Sequence, residues 1–533
     1  MSDARPEAPA FPSRRLAWST AAFSAATGLS RVLGLAREIV ARSYFGVEGA
    51  GINAFTVAFQ VPNLVRALVA DAALSSAFVP VFTELLEKGE RARAWRVASS
   101  LIWLLLLGLT AITAIFVLAA PWVMDLFGYG SGETGDLAVT LSRILFPIVV
   151  LLGIFGIVVG ILNSYGHFSI PALTPVFWNV VIIAGLVIGV PQADTEAGKL
   201  YVYAGSIVVG TLVQLLLPLP WLTGLDGRLR LAIDWRDPAV KRVFVLMLPV
   251  TLGLGLINVN ALIGTFFAAR FIDPTISPSA IDAAFRIYML PQGMFSVAVA
   301  TVLFPALARL ATRGDEEGFR HTVGLGLRQI AFLLIPASVV SAVLAEPIVR
   351  LLYQRGEFGS HETDVVAAAL AAFSLGLVFN GAMLMLNRAF FSLQAPWLPT
   401  WVALGNLILN TVLFAVLYRV GTWGIPLAIS LANMAGSAAL LFLLRRRFGR
   451  FEVGETSRSV VRITLASAVL AVVAFGAWWA LDEVLGRAFL AQLLSVFGAI
   501  AVGGAAYLFS ARLLGVRELN ALLSLRARAR PAD

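Results

Sequence analysis

Long apolar segments, one after another, constrain this chain more than any other feature. A helix that crosses the hydrocarbon of a bilayer needs about 20 apolar residues. Fourteen such segments can be marked, at roughly 17–45, 50–82, 97–119, 137–163, 171–190, 199–223, 243–271, 279–308, 322–345, 363–391, 398–418, 423–444, 460–482 and 488–511. Only 13% of the 533 residues are charged, against about 25% in a soluble domain. The pattern predicts an all-α polytopic membrane protein with fourteen transmembrane helices. The apolar run over 17–45 exceeds the ~7–15 residues of a signal-peptide core, so it is predicted to remain as the first span.

The distribution of basic residues then sets a topology. An even number of spans puts both termini on one side. With that side taken as the cytoplasm, its loops and tails hold 26 of the 40 lysines and arginines. They include Arg14, Arg15, Lys88, Arg91, Arg93, Arg96 and the run Arg445-Arg446-Arg447. The opposite loops hold five: Lys199, Arg350, Arg355, Arg419 and Arg487. This is the positive-inside asymmetry. It accounts for the net charge of +9 without a nucleic-acid partner. There is no cysteine and there are three histidines, which excludes disulfides and thiolate metal sites.

The chain also repeats. Leu162-Asn163 followed by Pro171 and Pro175 is matched by Leu386-Asn387 followed by Pro396 and Pro399, an offset of 224 residues. Pro80 and Pro305 stand 225 apart at the ends of comparable spans. The expected organisation is two parallel, pseudo-symmetric six-helix lobes plus two extra helices. Its segments are a tail over 1–16, an N-lobe over 17–223, a C-lobe over 224–444, spans 13 and 14 over 445–511, and a tail over 512–533. Transporters with internal repeats bind substrate near the midplane, where the repeats meet.

Nine basic residues fall inside spans, and four of them are candidate ligands: Arg31, Arg37, Arg66 and Arg286. A cation at bilayer depth costs about 2.5–3.5 kcal/mol on insertion scales, so such arginines are expected to face a wet cavity and to work there. Arginine stays charged and grips phosphate with a two-pronged fork. A ring of them is suited to holding a diphosphate that must cross the membrane. Glu38, Asn53 and Asp71 are candidate cavity or gating residues; Glu38 is four residues from Arg42 and spaced to pair with it. Gly34, Pro62 and Pro291 are candidate hinges, because proline interrupts the helix hydrogen-bond ladder. Arg143, Arg270, Arg328 and Arg388 lie near span ends and are expected to snorkel to the interface. Nucleotide-binding and hydrolase motifs are missing, so a transporter is expected rather than an enzyme.

Several blocks resemble the MurJ/MviN lipid II flippases: Ser30-Arg31-Val32-Leu33-Gly34-Leu35-Ala36-Arg37-Glu38, Ala54-Phe55, Pro62-Asn63-Leu64-Val65-Arg66, Phe78-Val79-Pro80, Gly160 to Gly166 and Arg388-Ala389-Phe390. The resemblance implies a multidrug/oligosaccharidyl-lipid/polysaccharide exporter fold with a central cationic cavity, and spans 13 and 14 as a groove for the lipid tail. It implies that the chain flips lipid II from the inner to the outer leaflet of the bacterial inner membrane by alternating access. The family's cavity arginines fall on Arg31, Arg37, Arg66 and Arg286. Lipid II and membrane lipids are the implied partners, with a monomer as the working unit and cell-wall synthesis machinery as a candidate contact. No cofactor is expected apart from a sodium ion, which some family members hold in the C-lobe; Asn406 and Asn410 are the matching candidates. Asn53 stands where the family often has aspartate, and Phe285 where an acidic residue often precedes the arginine of span 8. The alternatives are an exporter of another lipid-linked oligosaccharide, a drug or ion antiporter, and a membrane enzyme of the polyprenyl pathway. The last would need clustered carboxylates or histidines that the sequence lacks.

Overall fold

A segment with no water around it can satisfy its peptide groups only internally, which favours helix in every apolar stretch. The computed structural model describes residues 14–69, 72–395, 397–449 and 453–519, and among them there is no strand. They form two compact units: the described residues up to Ala41 with Val57–Asn258, and Arg42–Thr56 with the described residues from Val259 onward.

The first unit contains most of α1 (Arg14–Phe45) and α2 (Ala50–Val69), then α3 (Ala72–Glu87), α4 (Arg91–Leu126), α5 (Gly132–Leu145), α6 (Ile148–Ser164), α7 (Ser169–Ala184), α8 (Glu196–Leu216) and the start of α9 (Pro238–Phe267). Helix α6 packs on α3 and α4, and α8 packs on α5 and α7. The α3–α4 corner is filled by Phe82, Trp95 and Tyr165, whose rings meet at 6.2–6.4 Å.

The second unit contains α10 (Ser277–Pro291), α11 (Val297–Arg313), α12 (Glu316–Val343), α13 (Ala345–Tyr353), α14 (Ser360–Leu375), α15 (Leu377–Ser392), α16 (Trp397–Leu417), α17 (Gly424–Phe448), α18 (Val453–Leu485) and α19 (Phe489–Leu513). A wide π-helical turn, Gln292–Ser296, separates α10 from α11 directly after Pro291. Proline supplies no N–H to the ladder, so the helix widens where the sequence predicts a hinge. Helices α18 and α19 pack on each other and, through α18, on α12. Their core joins Ala331 and Phe332 to Ile463, Ala466, Leu470, Val496 and Ala499. The Tyr507 hydroxyl donates to the Phe332 carbonyl at 2.8 Å.

Ten helices are long and apolar enough to cross a membrane among the described residues, and eleven if α14 and α15, bent by 42°, form one span. They match expected spans 3–6 and 8–14. The other three expected spans correspond to α1, the α2–α3 pair and α9. Helix α1 is diluted by Arg31, Arg37, Glu38 and Arg42, and α2 ends at Val69 before residues outside the described set. Of the expected tails, 1–16 and 512–533, residues 1–13 and 520–533 lie outside it as well, with Arg5, Arg526, Arg528 and Arg530, as do Arg450 and the repeat landmark Pro396.

Candidate functional site

Three of the four candidate arginines belong to the first unit. Arg31 lies midway along α1, is exposed, and has no hydrogen-bond or ion-pair partner among the described residues. Two turns on, Arg37 is buried, pairs with Glu38 at 3.6 Å, and stacks over Trp178 of α7 at 4.7 Å. Its Nε is buried without a hydrogen-bond partner. On α2, Arg66 donates from Nε and a terminal nitrogen to Asn63 Oδ1 at 3.1 and 2.8 Å. That acceptor is a neutral amide oxygen that orients the guanidinium. Gly34 faces Asn179 of α7, where an added Cβ would lie 3.9 Å from the amide oxygen, ordinary contact distance. Pro62 sits inside α2, which remains helical on both sides of it. Asp71 lies outside the described residues.

The fourth arginine, Arg286, belongs to the second unit and is held by Asp282, one turn earlier on α10, at 3.0 and 3.3 Å. Asp282 also takes Arg42 at 3.0 Å. Arg42 is buried and donates as well to the Ser279 hydroxyl. One carboxylate therefore bridges two guanidinium groups. The spacing Asp282 to Arg286 was available in the sequence, but the Arg42 contact, 240 residues distant, was not.

Asn53 is fully buried in the first turn of α2. Its Nδ2 donates to the carbonyls of Val47, Gly49 and Thr275 at 2.8, 2.9 and 2.5 Å, and its Oδ1 accepts from the Ser279 N–H at 2.8 Å. Beside it lies a residue that the sequence did not single out. Glu362, buried in the first turn of α14, accepts the N–H of Val47 at 2.5 Å, of Glu48 at 2.8 Å and of Gly359 at 2.5 Å. Gly46 has φ +59°, and a Cβ there would run into that carboxylate. Arg42, Asn53 and Glu362 thus tie the α1–α2 corner to the starts of α10 and α14 within the second unit.

The expected snorkelling of Arg328 is corrected: it is buried and pairs with Glu518 at 3.3 Å. A carboxylate brought from almost 200 positions away removed the reason to reach for water. Arg143 and Arg270 are exposed, and Arg388 lies over Phe304 at 5.4 Å.

Among the described residues no group of three or more His, Cys, Asp or Glu could hold a metal ion. Asn406 and Asn410, one turn apart on α16, each bury an Oδ1 that has no hydrogen-bond partner. Two unsatisfied amide oxygens fit part of the shell of a hard cation such as sodium.

Outside the spans, the first unit is stitched by ion pairs. Asp226 accepts from the Tyr165 hydroxyl and pairs with Arg91 at 3.0 Å. The Tyr165 hydrogen bond and the arginine hold its carboxyl below the usual range, while burial and Asp226 push the Tyr165 hydroxyl up to about 12. Arg93 grips Asp237 with two nitrogens at 3.2 and 3.1 Å, and Glu84 is held low by Lys88 and Arg242.

Against known proteins, residues 41–497 match the family model for the lipid II flippase MurJ. The chain belongs to the MurJ family. A probable lipid II flippase MurJ of Vibrio cholerae is 32% identical over 95% of this chain and 97% of its own length. A lipid II flippase MurJ of Burkholderia cenocepacia is 32% identical over 79% and 82%. Among solved structures, a lipid II flippase MurJ in an inward closed conformation is 25% identical, covers 92% of this chain and 98% of its own, and superposes with a TM-score of 0.75. An inward-facing multidrug resistance MATE family transporter of the MOP superfamily shares the fold at 18% identity, with coverage of 79% and 94% and a TM-score of 0.67. The MurJ family match thus carries the all-helical exporter fold expected from the sequence, with ten to eleven recognisable spans among the described residues.

Proposed function

We propose that this chain flips lipid II, the undecaprenyl-diphosphate-linked peptidoglycan precursor, from the inner to the outer leaflet of a bacterial cytoplasmic membrane. Membership of the MurJ family along residues 41–497 carries this reading, and Arg31 gives it chemistry. A cation on an apolar helix with no partner among the described residues is a poor structural element and a good anion ligand. Arg31, Arg37 and Arg66 serve as the diphosphate ligands of the first unit, and Arg286 as that of the second. Arg37 is pre-set by Trp178 and Glu38, Arg66 by Asn63, and Arg286 by Asp282, so each fork loses little freedom on binding. Glu38, Asn53 and Asp71 tune or gate the path, and Gly34, Pro62 and Pro291 absorb the bending that alternating access requires.

A fourteen-span count, with α1, α2–α3 and α9 as spans 1, 2 and 7, gives two lobes of six with both termini on one side, and the bias of lysine and arginine supports the cytoplasm as that side. Spans 13 and 14 take the lipid tail. Asn406 and Asn410 supply two oxygens to a sodium ion, which contributes fixed charge within the second unit. The protein works as a monomer, as a transporter rather than an enzyme. An exporter of another lipid-linked oligosaccharide is the second reading, because the arginine chemistry is shared. Expression in a bacterium depleted of its own lipid II flippase tests the proposal. Restored growth supports it, and failure of a membrane-inserted, well-expressed chain contradicts it.

A further inference from the structure

Between α8 and α9 the first unit carries a short strap, neither helix nor strand, with an unusual surface. Over Arg228-Leu229-Arg230-Leu231-Ala232-Ile233-Asp234-Trp235-Arg236, apolar residues recur at every second position, the period of an extended chain. All four are exposed, Leu231 at 79% and Trp235 at 59%. The strap is not loose. The Arg230 N–H donates to the Ser99 hydroxyl at 3.0 Å, the Asp234 N–H to the Ser100 hydroxyl at 3.1 Å, and Trp103 Nε1 donates to the Arg230 carbonyl at 3.2 Å. The chain is anchored at both ends, by Asp226 to Arg91 and by Asp237 to Arg93. Backbone and ion pairs fix one side to α4, and the apolar side is left outward.

The place of attachment matters. Ser99 and Ser100 are the last polar residues before the apolar run over 101–109 of α4, so the strap lies at the level where hydrocarbon begins. Arg228, Arg230 and Arg236 are exposed alongside it, and Arg236 stacks over Trp235 at 5.1 Å. Tryptophan at the headgroup level and arginines beside it are the composition that an anionic leaflet binds. A polar partner protein would not account for an apolar row at this depth.

We propose that the 228–236 strap is a lipid-binding element. Leu229, Leu231, Ile233 and Trp235 insert into the acyl boundary of the arginine-rich leaflet, and Arg228, Arg230 and Arg236 contact its phosphates. The assignment of that leaflet to the cytoplasm rests on the topology proposed above; the contact with lipid does not. It fixes the segment between the sixth and seventh spans to the membrane surface.

The chain has no cysteine, so single-cysteine variants of the full-length protein are clean probes. Leu231→Cys carries an environment-sensitive fluorophore in proteoliposomes of phosphatidylethanolamine and phosphatidylglycerol. The expected result is quenching by lipids spin-labelled near the top of the acyl chain, protection from aqueous iodide, and a fall in lipid quenching of at least threefold when Arg228, Arg230 and Arg236 are all replaced by glutamine. A fluorophore open to iodide overturns the proposal. One shielded from iodide equally in detergent, without lipid quenching, also overturns it and assigns the row to a protein contact. Labelling of Glu317→Cys by an impermeant maleimide in intact cells reports the sidedness separately, so a wrong topology is distinguished from a wrong lipid contact.

Discussion

Replacing Glu362 by glutamine keeps the shape of a buried side chain and removes its capacity to accept on both oxygens. In the structure Oε1 takes the N–H groups of Val47 and Glu48, and Oε2 takes that of Gly359. A glutamine carbonyl can serve one side only, and its NH2 then faces an N–H donor on the other. A hydrogen bond to a charged group contributes about 1.5–3 kcal/mol, and an orphaned buried donor costs about as much. Val47 is fully buried and Glu48 is exposed, so water rescues only part of the loss. One to two such bonds give about 2–4 kcal/mol of local destabilisation. At tenfold per 1.4 kcal/mol this amounts to about a 30- to 700-fold loss of amide protection at the α1–α2 corner. Hydrogen exchange read by mass spectrometry on peptides covering 43–50, with the protein in nanodiscs, measures it. Asp364→Asn, on the exposed side of the same helix, is the control and should leave those peptides unchanged. Protection within threefold of wild type in Glu362→Gln would refute the reasoning, because the corner would then be held by something other than this carboxylate.

Three further outcomes are expected. Asn53→Asp withdraws both N–H donors from three carbonyls and should destabilise the same corner by about 1–3 kcal/mol; a variant as stable as wild type in thermal unfolding would contradict the donor role of Asn53. Arg31→Ala and Arg66→Ala should abolish complementation at normal membrane levels, while Arg31→Lys should restore it only partly because a point charge replaces a fork; loss of the protein from the membrane would show a structural role instead. The carboxyls of Asp226 and Glu84 are held low by their partners, so their contribution is present above the ordinary carboxylate range of about 4 and is lost as pH falls through their folded values. The melting temperature should therefore drop on acidification below about pH 4, less steeply in Asp226→Asn, and an identical acid slope in that variant would exclude Asp226 as a contributor.

The sequence exposed this protein's fold where a local rule governs it. Spans 3–6 and 8–14 were legible because length and apolarity decide a membrane helix, and among the described residues α1, diluted by Arg31, Arg37, Glu38 and Arg42, and the interrupted α2–α3 pair do not reach the same apolarity or length. Arg31 and Arg37 could be picked out because a cation in an apolar helix violates an energetic rule on its own. Their surroundings could not be picked out. Trp178 over Arg37, Asp282 against Arg42, Glu362 capping the α1–α2 corner and Glu518 neutralising Arg328 all join residues more than 130 positions apart, and one sequence carries no pairing signal over such separations. Asn53 shows the same limit. As a letter it was a missing carboxylate, and in the structure it is a donor that a carboxylate could not replace.

The most direct test of the proposed diphosphate chemistry is the amount of lipid II in the outer leaflet of cells that depend on this chain for growth. Wild type should restore it, Arg31→Ala at equal membrane abundance should leave it at the depleted level, and Arg31→Lys should fall between. Full outer-leaflet lipid II in Arg31→Ala would contradict the account, because an arginine on α1 with no partner among the described residues would then be dispensable for moving the substrate.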